Sequence, residues 1–313
     1  MTPKLRVCLA AVLWLWAAAA AYARQPWSFY GNLESTSAYD DGEDSPYKGF
    51  HSNNYLKLTA SRGRFSAGLQ AEWYPDPMPG FDLSLRGAGV PLKYVTYNGG
   101  YWQLTAGDFY EQFGSGLILR SWEDRALGLS NSLGGLRAAA DLLDGALGLK
   151  AVGGVPRSGL GYARTAVMGA DVSLSLLRLL APQSEHALAL EGSVLNRCEW
   201  STAPDISLLL GSPAPASVMS YSARASYSWR SLQLKAEYVG KGKDFTAIHN
   251  DGAGDSYVLA PGSAAMLEAN FAAGRFSGSL SWRRLDNMAW RAFRTTGTLA
   301  VSNTLNYLPA LCQ

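Results

Sequence analysis

The sequence predicts an all-β fold: an antiparallel transmembrane β-barrel of roughly 14 strands that encloses an irregular segment near residues 108–135. Three observations lead there. Polar and apolar residues alternate one by one along most of the chain, as on pleated strands whose two faces meet different surroundings. Charged residues make up 17% and aromatics 12%, with 33 glycines, whereas soluble domains carry roughly 25% charged residues. One stretch, Gly107 to Arg137, follows no simple period and packs glycines, aromatics and both signs of charge together.

The chain opens with an export signal over residues 1–23. Lys4 and Arg6 supply the positive start, Val7 to Ala21 the apolar core, and Ala21-Tyr22-Ala23 an A-x-A cleavage site. Without Lys4 and Arg6 the 25 remaining basic residues balance 25 acidic ones, which gives no electrostatic reason to expect nucleic acid as a partner. Cys198 and Cys312 remain after the signal, too few for a disulfide framework. No later run of about 20 apolar residues exists, which excludes helical membrane spans. Residues 24–313 are therefore expected to be one barrel domain in contact with outer-membrane lipid.

Taken in order, the first strand runs from Trp27 to Ala38, and Tyr39 to Ser52 reads as an acidic loop. A hairpin follows around Ser61-Arg62-Gly63-Arg64. Prolines 75, 77, 79 and 91 mark a second loop, and Asn98-Gly99-Gly100 turns the next hairpin. After the aperiodic stretch, Leu136–Leu142 and Ala146–Val152 flank Leu143-Asp144-Gly145. Gly153 to Thr165 is expected as a loop, Met168–Leu180 and His186–Asn196 as strands, and Asn196–Pro215 as another loop. The clearest alternation sets Met219, Tyr221, Ala223, Tyr227 and Trp229 against Ser220, Ser222, Arg224, Ser226 and Ser228, with Leu232 to Tyr238 as partner. Gly240 to Gly262 reads as a long loop, Leu267–Phe271 and Phe276–Arg283 as a further hairpin, and Val301–Leu308 as a last strand. Strands this long exceed the usual 5–6 residues of soluble sheets, and their closure would leave no backbone edge in lipid.

The run Gly107-Asp108-Phe109-Tyr110-Glu111-Gln112-Phe113-Gly114-Ser115-Gly116-Leu117-Ile118-Leu119-Arg120 is specific enough to compare. With Trp122-Glu123-Asp124-Arg125 and Asn131-Ser132-Leu133-Gly134-Gly135, it resembles an uncharacterised family of Gram-negative outer-membrane β-barrel proteins. The resemblance implies an outer-membrane location and supplies no reaction or catalytic residues. Members of that family continue beyond the segment resembling Asn306 to Leu311, so this chain is expected to lack the C-terminal strands of its barrel.

The chemistry visible in the sequence is that of a lining. Lys57, Gln70, Glu72, Lys150, Arg224, Lys235, Glu237, Glu268 and Arg283 fall on the polar strand face and should point inward. Asp108, Glu111, Arg120, Glu123, Asp124 and Arg125 belong to the enclosed segment and should form a constriction. This predicts a pore or a site for a small solute, with no cofactor and no metal, since His51, His186 and His249 lack metal-ligand spacing. A barrel that captures a protein partner through its long loops is the alternative. A lipid hydrolase built on a Ser–His pair is a third reading that no specific spacing supports.

Overall fold

The computed structural model describes residues 25–42, 47–200, 204–248, 256–292, 294 and 304–307. The predicted signal, His249 and Cys312 lie outside them. Strands β1 (Ser28–Asp40), β2 (Gly49–Arg62), β3 (Phe65–Tyr74), β4 (Gly87–Asn98) and β5 (Trp102–Phe109) form consecutive hairpins. Four two-residue strands follow: β6 (Gln112–Phe113), β7 (Leu119–Arg120), β8 (Glu123–Asp124) and β9 (Leu129–Ser130). The wall resumes with β10 (Leu133–Leu142), β11 (Leu147–Ser158), β12 (Gly161–Tyr162) and β13 (Thr165–Ser175), then helix α1 (Leu176–Leu180) and β14 (His186–Glu199). Helix α2 (Pro204–Leu210), β15 (Ser217–Trp229), β16 (Leu232–Ile248), β17 (Ser256–Ala273) and β18 (Phe276–Asp286) complete it. A 14-stranded antiparallel sheet results: thirteen strands follow one meander from β1 to β18, and β12 pairs with β11. No described helix is long and apolar enough to cross a membrane.

The strands extend beyond their predicted limits at the long-loop end. Residues 240–262 are mostly ladder, with Lys241↔Gly262 and Ile248↔Ser256 in register, so the expected loop shrinks to a short connection. Glycine and acidic residues there suggested a turn, but Gly240 sits in the ladder under the outward Tyr221 ring, and Asp244 is buried against Arg197 and Arg294. Likewise β11 carries Gly153 to Ser158, and β4 carries Pro91, whose missing N–H falls at the register shift opposite Gln70 and Glu72. At the opposite end, Leu176–Leu180 winds into a helical turn instead of continuing β13. Thr304 forms an isolated bridge with Arg291 and belongs to none of the named strands of the wall.

The wall is inverted relative to a soluble protein. Along β15, Met219, Tyr221 and Ala223 are exposed while Ser220, Ser222 and Arg224 are buried. Tyr221 is 53% exposed and Leu280 73%, against 1% for Ser220 and 2% for Glu72. Leu33, Leu58, Leu69, Val95, Leu104, Leu136, Val172, Val194, Leu234 and Leu267 continue the same outer face. An apolar surface this extensive is far beyond what a soluble monomer tolerates. Near the short turns, aromatic rings gather: Phe65 against Tyr97 at 4.8 Å, Tyr97 against Trp102 at 5.1 Å, and His186 stacked on Trp229 at 5.5 Å. Such girdles mark the boundary between hydrocarbon and water.

Gly107, Gly135 and Gly154 face one another across β5, β10 and β11. A methyl group on Gly135 would sit 2.0 Å from the Gly153 carbonyl oxygen, and Gly107 holds φ at 108° with Lys93 O 2.2 Å from any added Cβ. The strands can approach this closely only without side chains. Gly135→Ala should therefore lower stability by about 3 kcal/mol through overpacking. Gly153→Ala, where an added Cβ meets only Met168 Cγ at 3.9 Å, should change it by less than about 0.5 kcal/mol. Urea unfolding in lipid vesicles measures both, and equal losses would sink the close-approach account.

Candidate functional site

Between β5 and β10 the chain leaves the wall and folds into two small hairpins. β6 pairs with β7, and β8 with β9. The first hairpin closes through Gly114 and Gly116, both at positive φ, with Gly116 N donating to Phe113 O at 2.9 Å. Its apolar residues Phe113, Leu117, Ile118 and Leu119 are buried against Val152, Val167, Leu195, Val239 and Met266, inward residues of β11, β13, β14, β16 and β17. The core of this protein is thus inside the wall, between plug and sheet. The second hairpin reaches the opposite side of the sheet, where Glu123 meets Gln70 and Arg125 meets Glu34. Because one segment touches inward residues of β1–β3 and of β14–β17, the sheet must curl around it.

A second segment, 288–292 with 304–307, enters from the far end of the chain and straps this plug. Tyr307 N donates to Gly116 O at 2.8 Å, and Arg120 N to Leu305 O at 2.7 Å. The Asn306 amide donates to Leu117 O and Met288 O, and Asn131 donates to Thr304 O. Residues 304–307, expected within a final wall strand, therefore cover the first hairpin. The strap is rooted by Arg294, whose guanidinium meets Glu199 at 2.8 Å and Asp244 at 3.0 Å, and Asp244 also accepts from Arg197 at 2.8 Å. These buried residues were not singled out by sequence reasoning. Their signal was the inward register of Arg197 and Glu199 at the end of β14, in a stretch where a loop was expected.

The predicted constriction residues divide into separate roles. Glu111 is buried and bridges two wall strands: Arg137 Nε donates to it at 2.6 Å and Lys150 Nζ at 2.9 Å. Burial pushes its carboxyl upward, but those two cations outweigh burial and hold it below the ordinary carboxylate range. Glu123 and Arg125 form an ion pair at 3.6 Å, and Arg125 also binds Glu34 at 2.6 Å and Gln70 at 3.0 Å. Arg120 finds no carboxylate among the described residues; its guanidinium lies over the rings of Trp122 and Tyr307. Asp124 accepts from Ala126 N and Leu127 N and shapes its own turn. Asp108 stands apart. Its carboxylate accepts from Lys93 N and the Tyr162 hydroxyl, on the face that also carries Val95 and Leu136.

The lining residues lie on the inward register. Glu72 is sealed with Arg157 in a bidentate pair at 2.5 and 2.9 Å, further joined by Gln70 and the Tyr74 hydroxyl. Lys57 is half-buried opposite Gln70. Arg224 binds Asp171 and meets Glu191 at 2.8 Å, beneath Gly114. On the short-turn side of the hairpin tip lies a chamber of about 470 Å³. Ser115 and Leu117 roof it, while Glu191, Arg224, Lys235, Glu237, Glu268 and Arg283 line it. Ser115 N donates weakly to Glu237 at 3.3 Å, and Arg283 donates to Glu268 at 3.2 Å. The chamber is polar and mixed in charge, whereas the space beside the tip is filled by the apolar core.

Neither described histidine ring faces a serine hydroxyl. His51 is held by the carbonyls of Pro77 and Tyr47, and His186 Nδ1 by the Tyr227 hydroxyl. Among the described residues no group of three His, Cys, Asp or Glu side chains could hold a metal ion, and Cys198 is a free thiol.

A family model described as "Family of unknown function (DUF6029)" matches residues 3–313. No curated protein matches the chain. Among solved structures, it is similar to OprB of Pseudomonas putida at 11% identity, covering 78% of this chain and 75% of that one, with a TM-score of 0.39. It is similar to the outer membrane channel DcaP of Acinetobacter baumannii at 12% identity, covering 85% and 80%, with a TM-score of 0.37. It is also similar to OccK2 of Pseudomonas aeruginosa in complex with glucuronate, at 11% identity, covering 85% and 94%, with a TM-score of 0.32.

Two outcomes follow from the geometry. Arg157→Met leaves the Glu72 carboxylate buried without its countercharge and should cost about 3–5 kcal/mol in urea unfolding. The Glu72→Met, Arg157→Met double variant should recover most of that loss. For Glu111, a folded pKa below the unfolded one stabilises the plug fully above the ordinary carboxylate range. That contribution is lost as pH falls through the depressed folded value. Trp122 fluorescence should report plug loosening in acid, and Glu111→Gln should remove this step; an unchanged acid transition in that variant would refute the assignment.

Proposed function

We propose, from the premise that this chain belongs to the DUF6029 family of unknown function, that it is an outer-membrane barrel handling a small solute through a plugged lumen. The observation that carries the reading is the inverted wall around a charged, ion-paired plug. Apolar side chains face outward along every long strand, while Glu72, Arg224 and Glu237 are buried inward. The outward face suits hydrocarbon, and the inward face suits water and polar solutes. Residues 110–132 are the constriction, with Glu111, Arg120, Glu123 and Arg125 holding it to wall and strap. Lys57, Glu72, Arg224, Lys235, Glu237 and Arg283 are the lining. Asp108 and Asp124 serve to fasten the segment's entry and its second turn.

A barrel that captures a partner by its loops has one observation in its favour: Trp200, Leu208 and Leu209 are exposed in the connection between β14 and β15. Those side chains are few, and that connection is short beside the lining described above, so the solute reading is preferred.

Planar-bilayer recordings test it. The full chain should give a small ion current, and Glu123→Ala with Arg125→Ala should raise it about threefold or more by freeing the second hairpin from Gln70 and Glu34. Silence from both forms would remove the channel claim.

A further inference from the structure

We infer that the chamber beneath the β6–β7 tip is a binding site for a small zwitterion, with an ammonium group at one end and a carboxylate at the other. The inference rests on the solute-handling reading and narrows it. Buried polar atoms nearly always have a partner, yet Glu237 Oε1 and Arg283 Nε are buried in this chamber without one. Glu237 itself is only 5% exposed. An ionised carboxylate can only accept, and its other oxygen receives just the long 3.3 Å bond from Ser115 N. The nearest guanidinium, Arg224, is already engaged by Asp171 and Glu191. Glu237 Oε1 thus has no hydrogen-bond partner among the described residues, and the Ser115 hydroxyl, which roofs the same chamber, is likewise buried and unpartnered.

Lys235 lies two residues away on the same face of β16, roughly 7 Å along the strand. Among the described residues it makes no ion pair, although Glu268 is its cross-strand neighbour. Arg283 lines the same chamber, with its Nε buried and unpartnered. The chamber thus holds an unmet acceptor on Glu237 and available donors on Lys235 and Arg283. Its charges balance, with Arg224, Lys235 and Arg283 against Glu191, Glu237 and Glu268. A net-neutral ligand with separated charges answers both needs at once. A monoanion would face Glu237, and a monocation would face Lys235 and Arg283. A neutral sugar could bond to both but would bring no charge to either. Leu117 and Met266 supply an apolar side for a short aliphatic stem, and about 470 Å³ lies within the range of small-ligand sites.

Calorimetry on the full chain folded in detergent tests this with γ-aminobutyrate as probe, and butyrate, butylamine and glucose as comparators. The zwitterion should bind about tenfold or more tightly than any comparator, and Glu237→Gln and Lys235→Met should each weaken it about tenfold. Lys235 is exposed, so its variant should assemble normally; the heat-dependent gel mobility of folded barrels checks both. Equal binding of the comparators, no binding of γ-aminobutyrate, or unchanged affinity in both folded variants would overturn the assignment. If bilayer current is present when γ-aminobutyrate fails to bind, this site falls and the channel reading stands; absence of both removes the two together.

Discussion

The Glu111 carboxylate, clamped between Arg137 on β10 and Lys150 on β11, is the contact on which the interior arrangement depends. It lies where the chain leaves β5 for the lumen. A charge in that place must be paired, because burial strips it of the water that would otherwise solvate it. Once Glu111 is held, the first hairpin is aimed across the lumen, where Phe113 to Leu119 meet the inward apolar residues of β13 to β17. The ion pairs give the plug its position, and the apolar contacts give it bulk stability. Glu72–Arg157 and Arg294–Glu199–Asp244 repeat the principle at two other points. Each removes charge from the lumen while tying one element to another.

The plug also divides the interior into unlike parts. On one side of the hairpin tip the space is packed with Leu117, Ile118, Leu195 and Val239, and nothing polar could pass without moving them. On the other side, below Ser115, lies a chamber lined by charged residues with unmet hydrogen-bonding capacity. In the proposed reading, binding and passage are distinct events, one governed by Glu237, Lys235 and Arg283, the other by the fastening of the hairpins.

The wall was legible in the sequence because period-two alternation survives wherever a strand has two different faces. Tyr221, Leu234 and Leu280 declare one face, and Ser222, Lys235 and Glu237 the other. The exclusion of Gly107–Arg137 from the wall was legible for the converse reason: it breaks the period. Strand ends were not legible near the long loops. There Gly240, Gly262 and Pro91 resemble turn residues, and only pairing across the sheet shows them in ladders. Partners could not be read either. Glu72 and Arg157 are 85 residues apart, and no local pattern links them. Asp108 was grouped with Glu111 on proximity in sequence, but three residues along a bending strand place the two carboxylates on different sides of the sheet.

Tyr307 and Leu305 share backbone hydrogen bonds with Gly116 and Arg120, so residues 304–307 act as an added edge to the little sheet that blocks the lumen. What fills the interior is therefore assembled from two pieces of sequence, joined by contacts that span 173 and 189 residues. The first hairpin has its full set of backbone partners only with residues 304–307 in place. Changes confined to those residues would be felt in the passage itself, although they lie outside the wall that surrounds it.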